Sequence, residues 1–254
     1  MISILPHFTP LQWLLAALAA LSVGISKSGF GGFGMVTVLL MAEIMPARQS
    51  TGAVLPLLIF GDILAVAVFR KHAQWRHIFR MLPPAVLGVI AGWLFMRLTV
   101  PDKAFRGVIG GIVLLLTALH CLRQWRPRLF THVPHRAWFA WTIGVWSGVT
   151  TMLANAAGPI MTLYLLAVGL PKWEFVGTAA FFFLVVNLVK VPFSVSLGLI
   201  NNVSLLFNVV LVPFVALGIF TGRKLIGIVP QKLFEQLVLI FAAAAAIRLI
   251  FESL

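Results

Sequence analysis

The sequence predicts an all-α polytopic membrane protein, built as two inverted structural repeats. Of its 254 residues, 61% are hydrophobic and only 10% are charged, whereas a soluble domain has about 25% charged residues. Apolar segments long enough to cross a bilayer recur along the whole chain. Because so few polar residues remain to form a hydrated surface, the composition excludes a water-soluble globular domain.

Six uninterrupted apolar segments are candidate spans, since a transmembrane helix needs about 20 residues. They are residues 51–69, 78–96, 106–122, 178–198, 203–222 and 233–251. Two further apolar regions, 11–45 and 137–169, are each broken near the middle by small and polar residues. Each broken region precedes three clean spans. This order predicts two repeats, each an interrupted helix pair or hairpin followed by three transmembrane helices.

Individual residues recur between the two halves in the same order. Ser22 matches Ser147, and Asp62 matches Asn187, in both cases 125 positions later. The other matches at this offset are Thr37 with Thr162, Pro46 with Pro171, and Gly52 with Gly177. We therefore expect residues 1–125 to form the first transmembrane repeat and residues 126–254 the second, within one integrated membrane domain.

The charge distribution predicts how the chain is oriented. The formal net charge is +13, and most basic residues fall in loops that inverted repeats would place on one face. The opposite face receives Arg48, Arg97, Lys103, Arg106 and Arg248. Because cytoplasmic loops carry the excess of Lys and Arg, this bias predicts a multi-pass protein of the bacterial inner membrane with both termini outside. No nucleic-acid-binding motif accompanies the charge, so nucleic acid is not an expected partner.

The segment GISKSGFGGFG, residues 24–34, interrupts the first broken region. Its flanking arms are each about 23 Å long as helix, shorter than the roughly 30 Å hydrocarbon core. Unwound backbone at that depth must be buried in protein or line a wet cavity. Glycine amides and the N-terminus of the next helix favour an anion. The candidate binding residues are Ser26, Lys27, Ser28, Gly29, Gly31 and Gly32. Alternatively, the glycines serve helix packing and Lys27 extends to the interface.

The second broken region has a similar interruption, TTMLANAAGP at residues 150–159. Asn155 and Gly158 are its candidate binding residues, and Pro159 suits the first turn of a helix. Broken helices in corresponding positions of two repeats are typical of a transporter's binding site. The sequence therefore predicts a central site for a small anion, formed by both interruptions.

Two ionisable residues, Asp62 and Lys190, lie deep within predicted spans. Each costs about 2.5–3.5 kcal/mol at a helix centre, so the expectation is a functional role with a partner. Asn187, the repeat counterpart of Asp62, lies one turn before Lys190. We expect Asn187 and Lys190 to contribute to anion binding, and Asp62 to pair with Lys190 or to carry a coupling proton. The alternative is a purely structural ion pair between two helices.

The sequence contains no motif that is typical of an enzyme or of a metal-binding protein. The sequence has no zinc-binding pattern, Walker A segment or Ser/His/Asp set, so neither an enzyme nor a bound metal or cofactor is expected. Cys121 is the only cysteine, which excludes an intrachain disulfide. The expected partners are the lipid bilayer and a small anionic substrate. The oligomeric state is open, with a homodimer among the options.

The order of these landmarks resembles the TauE/SafE sulfite exporter family of the sulfonate-uptake permease superfamily. In the first half the matching residues are Ser22, Gly29, Gly31, Gly32, Pro46 and Gly52; in the second they are Ser147, Gly158, Pro171 and Gly177. The glycine run of the family is reduced to ANAAGP in the second half, a departure from a symmetric site.

The resemblance implies transport of a small sulfur-containing anion. The expected function is a secondary transporter that exports sulfite or an organosulfonate through the site between the broken helices. An inside-negative potential favours anion exit by about 2.3 kcal/mol per charge per 100 mV. The alternative is a passive channel for anions or small solutes.

Overall fold

The computed structural model describes residues 8–28, 33–98, 101–126, 137–228 and 231–253, and these form eleven α-helices without a strand. The helices of the first half are α1 (Pro10–Lys27), α2 (Phe33–Ile44), α3 (Ala47–Ala53), α4 (Leu55–Phe69), α5 (Trp75–Arg97) and α6 (Asp102–Trp125). Those of the second are α7 (Ala137–Ala154), α8 (Gly158–Ala167), α9 (Lys172–Ser196), α10 (Asn202–Ile228) and α11 (Gln231–Phe251). The predicted all-α class is confirmed.

Six of the described helical segments are long and apolar enough to cross a membrane, which confirms a polytopic membrane protein. They are Pro10–Lys27, Ala47–His72, Trp75–Arg97, Asp102–Leu122, Trp173–Ser196 and Asn202–Lys224. The two predicted broken regions form the helix pairs α1–α2 and α7–α8, and in each pair the second helix is short. The segment predicted as one span at 51–69 is divided at Val54 into α3 and α4. Pro56, in the first turn of α4, has no backbone N–H to continue a helix from α3.

The most extensive helix contacts join the two halves. Helix α5 packs along α7, and α1 packs along α10, while α4 contacts α9 and α6 contacts α11. By position in the two halves, α1 corresponds to α7 and α5 corresponds to α10. The first helix of each half therefore packs against the corresponding helix of the other half: α1 against α10, and α7 against α5. The buried apolar residues of the described helices form three clusters, each of which contains residues of both halves. The inverted orientation of the repeats stays a prediction.

Glycines allow the two main helix crossings. A side chain on Gly148 of α7 would collide with the backbone of α5 at Ala85 and Val89. At the other crossing, Gly218 of α10 lies directly against Leu21 and Gly24 of α1. Small residues let helix backbones approach, and this close packing is a main source of helix association in a bilayer. Part of the glycine content therefore serves packing, as the alternative interpretation held.

A network of exposed ion pairs joins helix ends of both halves. Arg106 lies 3.2 Å from Asp102 and 3.4 Å from Glu252. Arg248 lies 2.8 Å from Glu252 and 3.0 Å from Glu43. Exposed pairs stabilise a protein by about 0–1 kcal/mol each. Two basic residues that the charge analysis assigned to one face, Arg106 and Arg248, thus lie together, whereas their side of the membrane stays a prediction.

Candidate functional site

A cavity of about 90 Å³ lies among the two broken helix pairs, α4 and α9. One buried water needs about 10–15 Å³ on a comparable measure, so the space accommodates several water-sized groups. The polar side chains that line it are Ser26, Lys27, Asp62, Thr151, Asn155, Thr162 and Asn187. Helix α9 contributes more of the apolar lining than any other helix, including the aromatic residues Phe175 and Phe183. The cavity therefore combines a polar wall with an apolar one.

The beginnings of both short helices reach this cavity. Gly34 at the start of α2 and Gly158 with Pro159 at the start of α8 line it. The first N–H groups of a helix have no intrahelical acceptor, and a partial positive charge gathers at that end. No side chain caps the N-terminus of α8, whose N-cap residue is Ala157. Donor groups for an anion are thus available at this wall.

Lys27 supplies a full positive charge at the cavity wall. It belongs to the last turn of α1, and its Nζ lies 2.6 Å from Oδ1 of Asp62 on α4. The Asp62 side chain is fully buried and that of Lys27 is 12% exposed. The ring of Phe183 lies 4.9 Å from the same ammonium, within cation–π distance. Lys27 is therefore held from two sides, by a carboxylate and by an aromatic face.

Asn187 lies between Asp62 and the second buried lysine. Its Nδ2 donates a hydrogen bond of 2.7 Å to Oδ2 of Asp62. Its Oδ1 accepts one of 3.4 Å from Nζ of Lys190, one turn further along α9. The direct ion-pair partner of Asp62 is thus Lys27, and Lys190 reaches the carboxylate only through Asn187. The pairing of Asp62 with Lys190 that the sequence suggested is replaced by this indirect arrangement.

Lys190 itself lies behind the cavity wall. Its Nζ donates to Thr151 Oγ1 at 3.2 Å and to Asn155 Oδ1 at 2.5 Å, in addition to Asn187. Three acceptors match the three N–H bonds of an ammonium group. The residue is 1% exposed, and it contacts cavity-lining side chains without lining the cavity itself. Lys190 therefore contacts the wall from behind, and its predicted direct contact with an anion stays a prediction.

Asn155 connects the helix breaks of the two halves. It follows the last residue of α7 with a φ of +52°, the left-handed conformation that commonly ends helices. Its Nδ2 donates a 2.8 Å hydrogen bond to the backbone oxygen of Thr51 in α3, three residues before the α3–α4 break. Through Asn155, the break between α7 and α8 is tied both to Lys190 and to the other half.

We expect Asn155→Ala to destabilise the protein more than Asn155→Gly. Both variants lose the hydrogen bonds to Lys190 and Thr51, at about 1–3 kcal/mol for the unpaired buried groups. Alanine adds about 1–2 kcal/mol because its Cβ disfavours the left-handed conformation. Chemical denaturation of the purified protein in detergent measures both. Gly169→Ala is the matched control, since Gly169 has a φ of +72° and no atom within 4 Å of an added Cβ. Equal stability of the two Asn155 variants would contradict the assignment.

The remaining predicted residues divide into three groups. Ser26 and Lys27 line the cavity, but they belong to helix α1 rather than to an unwound segment, because α1 continues to Lys27. Ser28 does not line the cavity: it donates to the backbone oxygen of Ile25 and packs against Gly222 of α10, and its role in binding stays a prediction. Three glycines, Gly29, Gly31 and Gly32, lie outside the described residues.

Among the lining residues that the sequence analysis did not propose for the site are Thr151, Thr162 and Phe183. Thr151 lies 125 positions after Ser26, so the repeat offset pointed to it. Thr162 was noted only as the counterpart of Thr37. Phe183 lies one helical turn before Asn187 on α9, a spacing that places both on one face. Applying the repeat offset and helical spacing to every proposed site residue would have found Thr151 and Phe183.

No cluster of three or more His, Cys, Asp or Glu side chains suited to a metal ion occurs in the described part of the chain. Comparisons with curated proteins and with solved structures gave no match. A family model described as sulfite exporter TauE/SafE matches residues 16–249, nearly the whole chain. The chain therefore belongs to the sulfite exporter TauE/SafE family.

Proposed function

We propose that this protein is a secondary transporter that exports a small sulfur-containing anion, sulfite or an organosulfonate, across the bacterial inner membrane. Family membership implies the coarser statement, a multi-pass membrane transporter of sulfur anions rather than an enzyme. In the proposal, the cavity between the broken helix pairs is the central binding site. Residues of both halves line it.

The observation that carries this proposal is the excess of basic over acidic side chains in the hydrogen-bonded network around the cavity. The network contains two ammonium groups, Lys27 and Lys190, and one carboxylate, Asp62. Both lysines are paired or hydrogen-bonded within the membrane-embedded core, where an uncompensated charge is costly. A single bound anion at the Lys27 side would balance the surplus. A cationic substrate would add to it.

Neutral donors supplement the charge. Hydroxyl groups of Ser26, Thr151 and Thr162 line the cavity, and each offers one O–H donor. The first N–H groups of α8 add backbone donors at Gly158. The oxygens of a sulfite or sulfonate group accept hydrogen bonds on several sides, which suits donors from both halves. The apolar wall near Phe175 leaves room for the carbon substituent of a sulfonate.

The proposal includes proton coupling through Asp62. Asp62 is the carboxylate among the described lining residues. It is in contact with Lys27 and Asn187, and through Asn187 it is linked to Lys190. Anion movement that changes the Lys27 contact changes the electrostatic environment of this carboxylate. Asp62 is therefore the residue at which substrate binding and proton uptake would be linked.

Counterflow in proteoliposomes tests the proposed function. We expect labelled sulfite to enter vesicles preloaded with unlabelled sulfite several-fold faster than empty vesicles, because a carrier that is loaded on both sides reorients without a slow empty step. A channel, the alternative, would show no such stimulation. An imposed pH gradient in the same vesicles measures proton coupling. Uptake of sulfite and methanesulfonate no greater than that of protein-free liposomes would refute anion transport.

A further inference from the structure

We propose that Asp62 is an internal competitor of the substrate for Lys27, and that this competition keeps the affinity of the site low enough for release. The inference rests on the proposed function, because it concerns the affinity of the same cavity for its anion. It assigns the Lys27–Asp62 pair a role beyond structure: the carboxylate occupies the ammonium group that an incoming anion would engage.

The geometry of Lys27 carries the first step. Both Lys27 and Asp62 line the cavity, so their 2.6 Å contact lies at the wall that an anion would reach. Among the described residues, Asp62 is the acidic residue that contacts the Lys27 ammonium. The ring of Phe183, 4.9 Å away, contacts the same group and would retain it at the wall after the carboxylate moves. An anion therefore enters as a replacement for a partner already present.

The position of Asn187 carries the second step. It donates to Oδ2 of Asp62, the oxygen that does not contact Lys27. Asn187 also accepts from Lys190, whose other contacts are neutral oxygens. A carboxylate displaced from Lys27 thus keeps a hydrogen bond and stays next to a second ammonium that has no carboxylate of its own. The Asp62 carboxylate is therefore not left as an unpaired buried charge when an anion displaces it from Lys27.

The consequence is a limit on affinity. A buried lysine with no carboxylate partner would hold a small anion tightly, because charge pairs are strong where water is excluded. A transport site needs binding that is favourable enough to load and weak enough to unload. The competing carboxylate supplies the opposing attraction. Lys27 then has a negatively charged partner in both states, Asp62 without substrate and the anion with it. Substrate binding therefore creates no unpaired charge.

Two variants test this inference. Asp62→Asn removes the competitor, and the double variant Asp62→Asn/Asn187→Asp moves the carboxylate from the Lys27 side to the Lys190 side at constant net charge. We expect both to bind sulfite and methanesulfonate at least tenfold more tightly than the wild type, by titration calorimetry of the full chain in detergent. Export in proteoliposomes should become slower, since release limits turnover. The double variant keeps the test valid if Asp62→Asn alone fails to fold.

Glu43→Gln is the matched control, since it removes an acidic group that pairs with Arg248 outside the cavity. Its affinity for both anions should equal that of the wild type. Wild-type affinity, or weaker binding, in a folded double variant overturns the competition while leaving the proposed function intact. If neither the wild type nor the variants bind these anions, the proposed function fails and the competition fails with it.

Discussion

Replacing Lys27 by alanine is expected to reduce anion transport at least ~100-fold, about 2.8 kcal/mol at 1.4 kcal/mol per tenfold change. Lys27 is the cation among the described residues that line the cavity. Its loss leaves Asp62, which is fully buried, without its ion-pair partner. The cavity then carries a negative charge where an anion should bind. Initial rates of labelled sulfite efflux from proteoliposomes measure the effect.

Loss of transport through misfolding must be separated from loss of the binding charge. Breaking a buried ion pair costs about 3–5 kcal/mol of stability, because one charge is left unpaired. The double variant Lys27→Ala/Asp62→Asn removes both charges and should recover much of that stability, as measured by thermal unfolding in detergent. Transport should remain low in the recovered protein. A stable double variant with wild-type efflux would show that Lys27 does not bind the anion.

Gly148→Ala is expected to prevent or severely weaken folding, at a cost of at least ~3 kcal/mol. The added Cβ would collide with the backbone oxygen of Ala85, and a backbone atom has no rotamer by which to move aside. The α5–α7 contact, the most extensive helix pair of the described structure, would have to separate. Fluorescence-detected size exclusion, followed by thermal unfolding of any folded fraction, measures the loss.

Gly111→Ala is the matched control for this variant. Gly111 also lies inside a helix, α6, but it is exposed and an added Cβ would meet no atom within 4 Å. We expect unchanged or slightly higher stability, since alanine is favoured over glycine in helix interiors by about 1 kcal/mol. Similar losses in both variants would show that helix flexibility, rather than the close approach of two backbones, explains the sensitivity of Gly148.

Hydropathy and chain length were enough to predict the class and the helices. An apolar segment in lipid must satisfy its own backbone hydrogen bonds, so long apolar segments become helices whatever their neighbours are. The interruptions near residues 24–34 and 150–159 were equally readable, because small and polar residues there break the apolar segments. The division at Val54 was missed because hydropathy does not register Pro56, whose effect on a helix comes from its missing N–H rather than from polarity.

The candidate site was predicted in part. The sequence singled out Lys27 in the glycine-rich interruption, Asp62 within a span and Asn187 as its repeat counterpart, and all three line the described cavity. Adjacency along the chain also suggested Ser28. A helix turns by about 100° per residue, however, and Ser28 packs against Gly222 of α10 on another face of α1. Neighbouring residues of the sequence thus lie in different surroundings, Lys27 at the cavity and Ser28 in a helix contact.

By itself, the sequence determined that this chain is a helical membrane protein with two broken helix pairs and charges inside its spans. Only the tertiary structure decided which charges meet: Asp62 contacts Lys27 directly and reaches Lys190 through Asn187. The physical reason is that hydropathy is a property of each segment alone. The partner of a buried charge depends on how helices pack, and here Gly61 of α4, next to Asp62, leaves room for the Lys27 side chain of α1.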